Sequence, residues 1–175
     1  MRRRRRSLFR ELLEVVVIAL ILTFVIQTWV FETFVVEGDS MLDTLHHGDR
    51  VLVNKFIYRF TDPERNDVVV FAHPGEGNRE LIKRVIGTPG ELVEMRAGQL
   101  FVNGEPLQEE YITRGDNSDF APVKVPPRSV FVLGDNRGSS DDSRSFGFVP
   151  RSDVRGKTWL IFWPPGSAGT LDDPD

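Results

Sequence analysis

The 175-residue sequence contains no cysteine. That excludes a disulfide scaffold, a thiol nucleophile and every metal site built on thiolates, and it leaves the redox compartment open. Histidine is scarce, with only His46, His47 and His73. No H-E-x-x-H spacing occurs, and residues 135–143 lack the residue order of a calcium loop, so no metal is expected. Beyond the first ten residues the chain has no basic excess. Arg2–Arg6 and Arg10 supply six positive charges with no acid, which leaves 16 basic residues against 26 acidic ones. An acidic body argues against a nucleic-acid partner, because phosphate binding needs a basic face.

What is present begins with that arginine head, residues 1–11. An apolar run follows over 12–31, almost purely aliphatic between Val15 and Ile26. About twenty helical residues span ~30 Å, the thickness of a bilayer core. Glu14 and Gln27 lie near the two ends of the run, and Trp29 and Phe31 fall where an aromatic belt would sit. No A-x-A cleavage site follows, so the segment reads as an uncleaved transmembrane anchor rather than a removable signal. The positive-inside rule then puts the head in the cytoplasm of a single-pass cell-membrane protein and residues 32–163 outside the cytoplasm.

Past residue 32 the pattern changes to short β-branched and aromatic runs at 34–36, 50–57, 67–71, 81–86, 92–95, 99–102, 129–133 and 158–162. Gly, Pro, Asn and Asp clusters separate them. This is the pattern of a mainly β, antiparallel sheet or barrel domain. Asn103-Gly104 between two runs reads as a tight hairpin turn. Residues 164–175 read as a loose, flexible acidic tail. Trp159, Phe162 and Trp163 fit either an interfacial apolar patch or a run in which only Trp163 is exposed.

Nucleophile templates narrow the chemistry. There is no G-x-S-x-G elbow. A His73–Ser139 pairing is allowed by position alone, with nothing around Ser139 to support it. Lysine is more informative, because only Lys55, Lys83, Lys124 and Lys157 occur, against eighteen arginines. In a strand over 81–86, Leu81, Lys83 and Val85 share one face while Ile82, Arg84 and Ile86 share the other. Whichever face is buried, a cation lies among aliphatic side chains. A desolvated lysine loses its proton more easily and can act as a base toward a serine hydroxyl. Lys55, after Val51 and Val53, has a similar setting, so the strand pattern does not choose between the two.

Four motifs carry a resemblance. They are Gly38-Asp39-Ser40-Met41 with Thr44-Leu45, then 67–71 before Pro74, then Lys83-Arg84-Val85-Ile86-Gly87 with Pro89-Gly90. The last is Gly134-Asp135-Asn136-Arg137 with Ser140, Asp142-Ser143-Arg144 and Gly147. In this order, behind an anchor, the set resembles the bacterial type I signal peptidases, a Ser/Lys-dyad serine protease family. The resemblance implies a signal peptidase-like fold, an antiparallel catalytic core with a small inserted β subdomain that would fall over 91–128. It implies Ser40 as nucleophile, Lys83 as general base, and Ser140 as the hydroxyl that orients the lysine. Asp142 would pair with Arg144 and Asp135 with Arg84, Met41 would line the substrate cleft, and the oxyanion donors would lie at Ser40 and near Gly38. The substrates implied are signal peptides of exported preproteins, cut after small residues at Ala-x-Ala sites at the lipid bilayer through an acyl-enzyme, with no cofactor. Two positions depart from the family pattern. Asp43 stands where proline is common and adds a carboxylate near the lysine. Gly38 lacks the hydroxyl that some relatives carry there. A Ser/Lys protease with a different target and a non-catalytic anchored binding domain are the alternatives.

Overall fold

The structure is a computed structural model that describes residues 2–112 and 116–171; the side chains of residues 2–8 and 25–28 lie outside the description, and with them those of Arg2–Arg6 and Gln27. A single helix, α1 (Arg2–Trp29), opens the chain. It starts well before the expected apolar boundary at residue 12. Every described side chain from Phe9 to Phe24 is exposed. Among the described residues no helix is long and apolar enough to cross a membrane. The part of α1 whose side chains are described, residues 9–24, is itself shorter than the ~20 residues that a span requires.

Twelve strands follow: β1 (Phe31–Val35), β2 (Arg50–Asn54), β3 (Val68–His73), β4 (Glu76–Gly87), β5 (Leu92–Arg96), β6 (Gln99–Val102), β7 (Glu105–Pro106), β8 (Phe120–Lys124), β9 (Ser129–Leu133), β10 (Val149–Pro150), β11 (Val154–Trp163) and β12 (Gly169–Thr170). The larger sheet runs β1-β2-β11-β3-β4-β9-β10, with β12 on β11, and every pairing is antiparallel. Residues 92–124 build a separate four-stranded sheet in the order β7-β6-β5-β8. In the turn between β6 and β7, Asn103 and Gly104 both have positive φ. The right-handed twist of a two-residue hairpin demands that pair of values.

The order of strands follows from which of them carry apolar residues on both faces. In β3, Val68 and Val70 join one core cluster with Val36, Met41, Leu45, Val51, Val53 and Ile161. Its alternate residues Val69 and Phe71 join a second with Val85, Val130, Val132 and Val149. A strand that alternates between two cores must be central, and β3 lies between β11 and β4. A third cluster, built on Ile86, Val93, Met95, Leu100, Val125, Phe131 and Leu133, joins the small sheet to β4 and β9.

The structure corrects several expectations. The run 50–57 is not one strand. The side-chain carbonyl of Asn54 accepts the N–H groups of Phe56 and Ile57 at 2.9 and 3.1 Å, which turns the chain into a short 3-10 helix, Ile57–Arg59. The tail is not loose from residue 164 onward: Gly169 and Thr170 pair with Ile161 and Leu160, and Leu171 N–H donates to the Trp159 carbonyl at 3.0 Å. Residues 172–175 lie outside the described residues. Trp159, Phe162 and Trp163 are all exposed, so the reading with Trp159 in the core is set aside. Phe31 opens β1 and stacks on Trp159 with ring centroids 5.7 Å apart.

At Gly156 β11 passes close to the backbone of β2. A Cβ there would stand 2.4 Å from the Asn54 carbonyl oxygen. Gly156→Ala must push a central strand aside, a cost of order 1–3 kcal/mol, and is expected to lower the melting temperature by roughly 5 °C. Gly77→Ala, where nothing lies within 4 Å, serves as the control with little change. Equal melting temperatures for the two variants would contradict this packing.

Candidate active site

The turn that carries Ser40 leaves the end of β1 and is rooted in the core. Val36 N–H donates to the Asp49 carbonyl and Gly48 N–H to the Val36 carbonyl, closing the loop at its base. Leu45 N–H donates to the Met41 carbonyl at 2.8 Å, one helical turn. That turn drives Met41 and Leu45 into the first core cluster and leaves Ser40 half-buried at the surface. Met41, expected in the substrate cleft, is therefore a fully buried core residue. Helical spacing puts it beside Leu45, under the turn.

Lys83 comes from β4, which is buried on both faces at this point. Lys83 is 2 % exposed and Arg84 4 %, so both cations of the strand lie in the interior. Lys83 Nζ sits 2.7 Å from Ser40 Oγ and 2.9 Å from the Ile82 carbonyl oxygen. Desolvation lowers its pKa to about 8. Asp142 and Asp141 oppose that shift, Arg79 adds to it, and Asp135 opposes it. Asp43 is exposed and is not among these charges. Lys55, the competing candidate, pairs with Glu32 at 3.3 Å and keeps 28 % of its side chain exposed.

Two buried ion pairs hold the motif that runs from Gly134 to Arg144 around this pair. Arg84 grips Asp135 bidentately at 3.0 and 2.8 Å, and its other nitrogen donates to the Asn66 carbonyl. Thr44, on the Ser40 turn, donates its hydroxyl to the same Asp135 at 2.6 Å. Asp142 is wholly buried and pairs bidentately with Arg144, both contacts at 2.9 Å, while accepting the Gly134 N–H at 3.1 Å. Removing one partner of such a pair leaves a buried charge unmatched, so each pair fixes its loop firmly.

One expected contact is not made. Ser140 does not bond to Lys83; its hydroxyl is buried without a hydrogen-bond partner among the described residues, and Lys83 Nζ is taken up by Ser40 and Ile82. The Gly38 N–H is likewise engaged, by Nδ1 of His47 at 3.1 Å, so it is not free to serve as an oxyanion donor. The Ser40 N–H makes no hydrogen bond among the described residues and remains available. His73 faces Asp141 at 3.6 Å rather than Ser139.

The sequence reading did not foresee other contacts of this site. Asn136 donates from its backbone to the Ser40 carbonyl and from its side chain to the Asp39 carbonyl, both at 3.0 Å. It ties the last motif to the first. The Arg84 guanidinium lies 3.9 Å above the Tyr111 ring, and Tyr111 donates to Glu109, which is also bound by Arg137. A single aromatic in a polar segment gives no periodic signal, so Tyr111 was not visible in the sequence. Asn136 was visible as part of a motif, but its two acceptors were not.

The pair opens onto a cleft of about 620 Å³ between β1 and β4. Phe34, Val36, Val51, Val70, Leu81 and Ile82 form its apolar lining, and Arg79 and Asp141 pair at 3.5 Å in its wall. Val68 and Val85 belong to the core clusters and do not line it. A neutral lysine in contact with a serine hydroxyl beside an apolar groove has the chemistry for acyl transfer from an extended chain.

The chain is also similar to known proteins. The family model described as "Signal peptidase, peptidase S26" matches residues 9–163. A signal peptidase I of Leptolyngbya laminosa is 41% identical over 165 residues, covering 90% of this chain and 81% of that protein. Signal peptidase I P of Bacillus subtilis subsp. natto is 38% identical, covering 93% of each. The crystal structure of a signal peptidase I from Enterococcus faecalis V583 superposes with a TM-score of 0.50 at 39% identity, over 55% of this chain and 97% of that one.

A Cβ on Gly134 would stand 2.2 Å from Ser140 Oγ and 2.4 Å from the Ser40 carbonyl oxygen. Gly134→Ala is expected to displace the Ser40 turn and cut hydrolytic turnover by on the order of a hundredfold, the usual cost of an ångström of misplacement. The circular dichroism spectrum should keep its β signature. Wild-type turnover in that variant would contradict the contact.

Proposed function

The chain belongs to the signal peptidase family, peptidase S26, and we propose that it is a membrane-anchored endopeptidase that cuts signal peptides from exported preproteins after small residues, with Ser40 as nucleophile and Lys83 as general base. The observation that carries this reading is the 2.7 Å contact between Ser40 Oγ and a buried Lys83 whose pKa is lowered to about 8.

Neutral Lys83 accepts the Ser40 proton as Oγ attacks the peptide carbonyl, and the Ser40 N–H would donate to the oxyanion. The lysine then returns the proton to the leaving amine. Lys83 next takes a proton from water, whose oxygen attacks the acyl carbonyl, and passes that proton to Ser40 Oγ as the ester bond breaks. Asp135–Arg84 and Asp142–Arg144 keep their expected pairing and act as positioning residues for the turn and the lysine. Ser140 supports the same loop by its place against Gly134, without the lysine contact. The apolar lining from Phe34 to Ile82 suits small apolar substrate side chains in an extended chain, such as Ala-x-Ala.

The anchor is part of the same proposal. The helix from Arg2 to Trp29 is longer than the ~20 residues that a bilayer core requires. Its described apolar side chains, Leu12, Leu13, Val15–Ile18 and Leu20–Leu22 among them, are exposed around the helix. That exposure is costly in water and favourable in lipid. The arginine head supports a cytoplasmic N-terminus. The exposed aromatics Trp159, Phe162 and Trp163 support a domain held at the outer surface. The substrate's own apolar segment would lie in the same membrane.

The test is cleavage of a preprotein bearing an Ala-x-Ala site, in detergent, by the wild type, Ser40→Ala and Lys83→Met. Wild type is expected to cut after the final alanine, and both variants to lose activity with their fold intact. Near-normal turnover by Lys83→Met would remove the lysine from the role of base. The pH profile gives an independent check. Because the reactive lysine is the neutral form, kcat/KM should rise about tenfold per unit below pH ~8 and level off above it. An optimum near pH 5 would point to a carboxylate base instead.

A further inference from the structure

The turn that presents Ser40 is tied firmly at two places and thinly between them. At its base, Val36 N–H donates to the Asp49 carbonyl at 2.8 Å and Gly48 N–H to the Val36 carbonyl at 2.9 Å. At its tip, Asn136 holds the carbonyls of Asp39 and Ser40. Between these points, among the described residues, Glu37 and Gly38 make one hydrogen bond, from the Gly38 N–H to Nδ1 of His47 at 3.1 Å. Gly38 has a positive φ, a conformation that glycine enters readily and also leaves readily. A flexible residue two positions before the nucleophile therefore depends on one side chain for its orientation.

We propose that His47 is a positioning residue for the cleavage reaction: its neutral ring, protonated on Nε2, holds the Gly38 amide through Nδ1 and so fixes the turn that aims Ser40 into the cleft. This rests on the signal peptidase reading and adds to it a residue outside the four motifs. Only the neutral ring can do this, because an imidazolium carries N–H donors on both nitrogens and would confront the Gly38 N–H with another donor. The turn is thereby released in acid. The other titratable and charged groups of the two facing segments are Glu37 and Asp39 on the outgoing side and His46, Asp49 and Arg50 on the returning side. His46 is directed to Asp49, with Nδ1 4.0 Å from the carboxylate that also accepts the His46 N–H. His47 is thus the ring that reaches the turn.

The test is the slope of log(kcat/KM) against pH, from pH 5 to 9, for the full-length wild type, His47→Asn and His47→Gln acting on the preprotein in detergent. One required deprotonation gives a slope of 1. A second, at an imidazole, steepens it toward 2 at the acid end. The wild type is expected to steepen. Asparagine places an untitratable oxygen where Nδ1 stands, so His47→Asn should stay within about threefold of wild type at pH 8 and keep a slope of 1. Glutamine places its oxygen where Nε2 stands, so His47→Gln should lose roughly fivefold or more at pH 8, the weight of one hydrogen bond. A wild-type slope that never exceeds 1, a steep limb that survives in His47→Asn, or equal activity in the two variants would overturn the role of His47 and leave the peptidase reading standing. No cleavage by the wild type at any pH would overturn the reading beneath it.

Discussion

An ammonium group strongly prefers water, and Lys83 is denied it. The residue lies on a strand buried on both faces, opposite Val69 in the register, with three core clusters drawing on the strands around it. Burial pushes its proton off, and three carboxylates pull the other way. Burial wins, because none of those carboxylates makes a direct contact. Asp135 is committed to Arg84 and Thr44, and Asp142 to Arg144 and the Gly134 amide. What remains for Nζ is a serine hydroxyl and one backbone carbonyl. A carboxylate in hydrogen-bond contact would have kept the lysine charged.

The same two ion pairs serve the architecture. Arg84 is the neighbour of Lys83 on β4, so gripping Asp135 brings the last motif directly against the lysine strand. Asn136, next in sequence, then takes hold of the Ser40 turn, and Gly134 lets that turn approach to a distance no side chain would allow. Met41 and Leu45 root the turn from below. The Ser40–Lys83 pair is thus located by three segments that are far apart in sequence and meet through buried polar contacts. That is how a half-exposed serine can be held to a fixed position.

Much of this was legible in the chain, unevenly. The strands over 81–86, 92–95, 99–102 and 129–133 were visible because β-branched runs between turn residues have few other uses. β8 was not, because Pro122 sits inside it. Proline is tolerated in an edge strand, and β8 lies at the edge of its sheet. The polar start of β4, Glu76–Glu80, gave no strand pattern because it forms an exposed arm paired only with the end of β3. At the site, strand periodicity found two candidate lysines and could not separate them. The motif order favoured Lys83, and burial distinguishes it from the partly exposed Lys55. Met41 was assigned to the cleft by the family resemblance, and the helical turn to Leu45 carries it into the core instead. The bond between His47 and Gly38 was out of reach, since it depends on how the loop closes.

The central claim is that Lys83 loses its proton near neutrality because it is buried against Ser40. Lysine labelled at Cε gives only four side-chain signals from this chain, and Lys83→Met identifies the one that matters. An NMR titration of the full-length protein in detergent measures its protonation directly, without substrate. The account predicts a midpoint for Lys83 near pH 8. A midpoint near the ordinary lysine value of 10.5 would contradict it, because the residue proposed as base would then be protonated under working conditions.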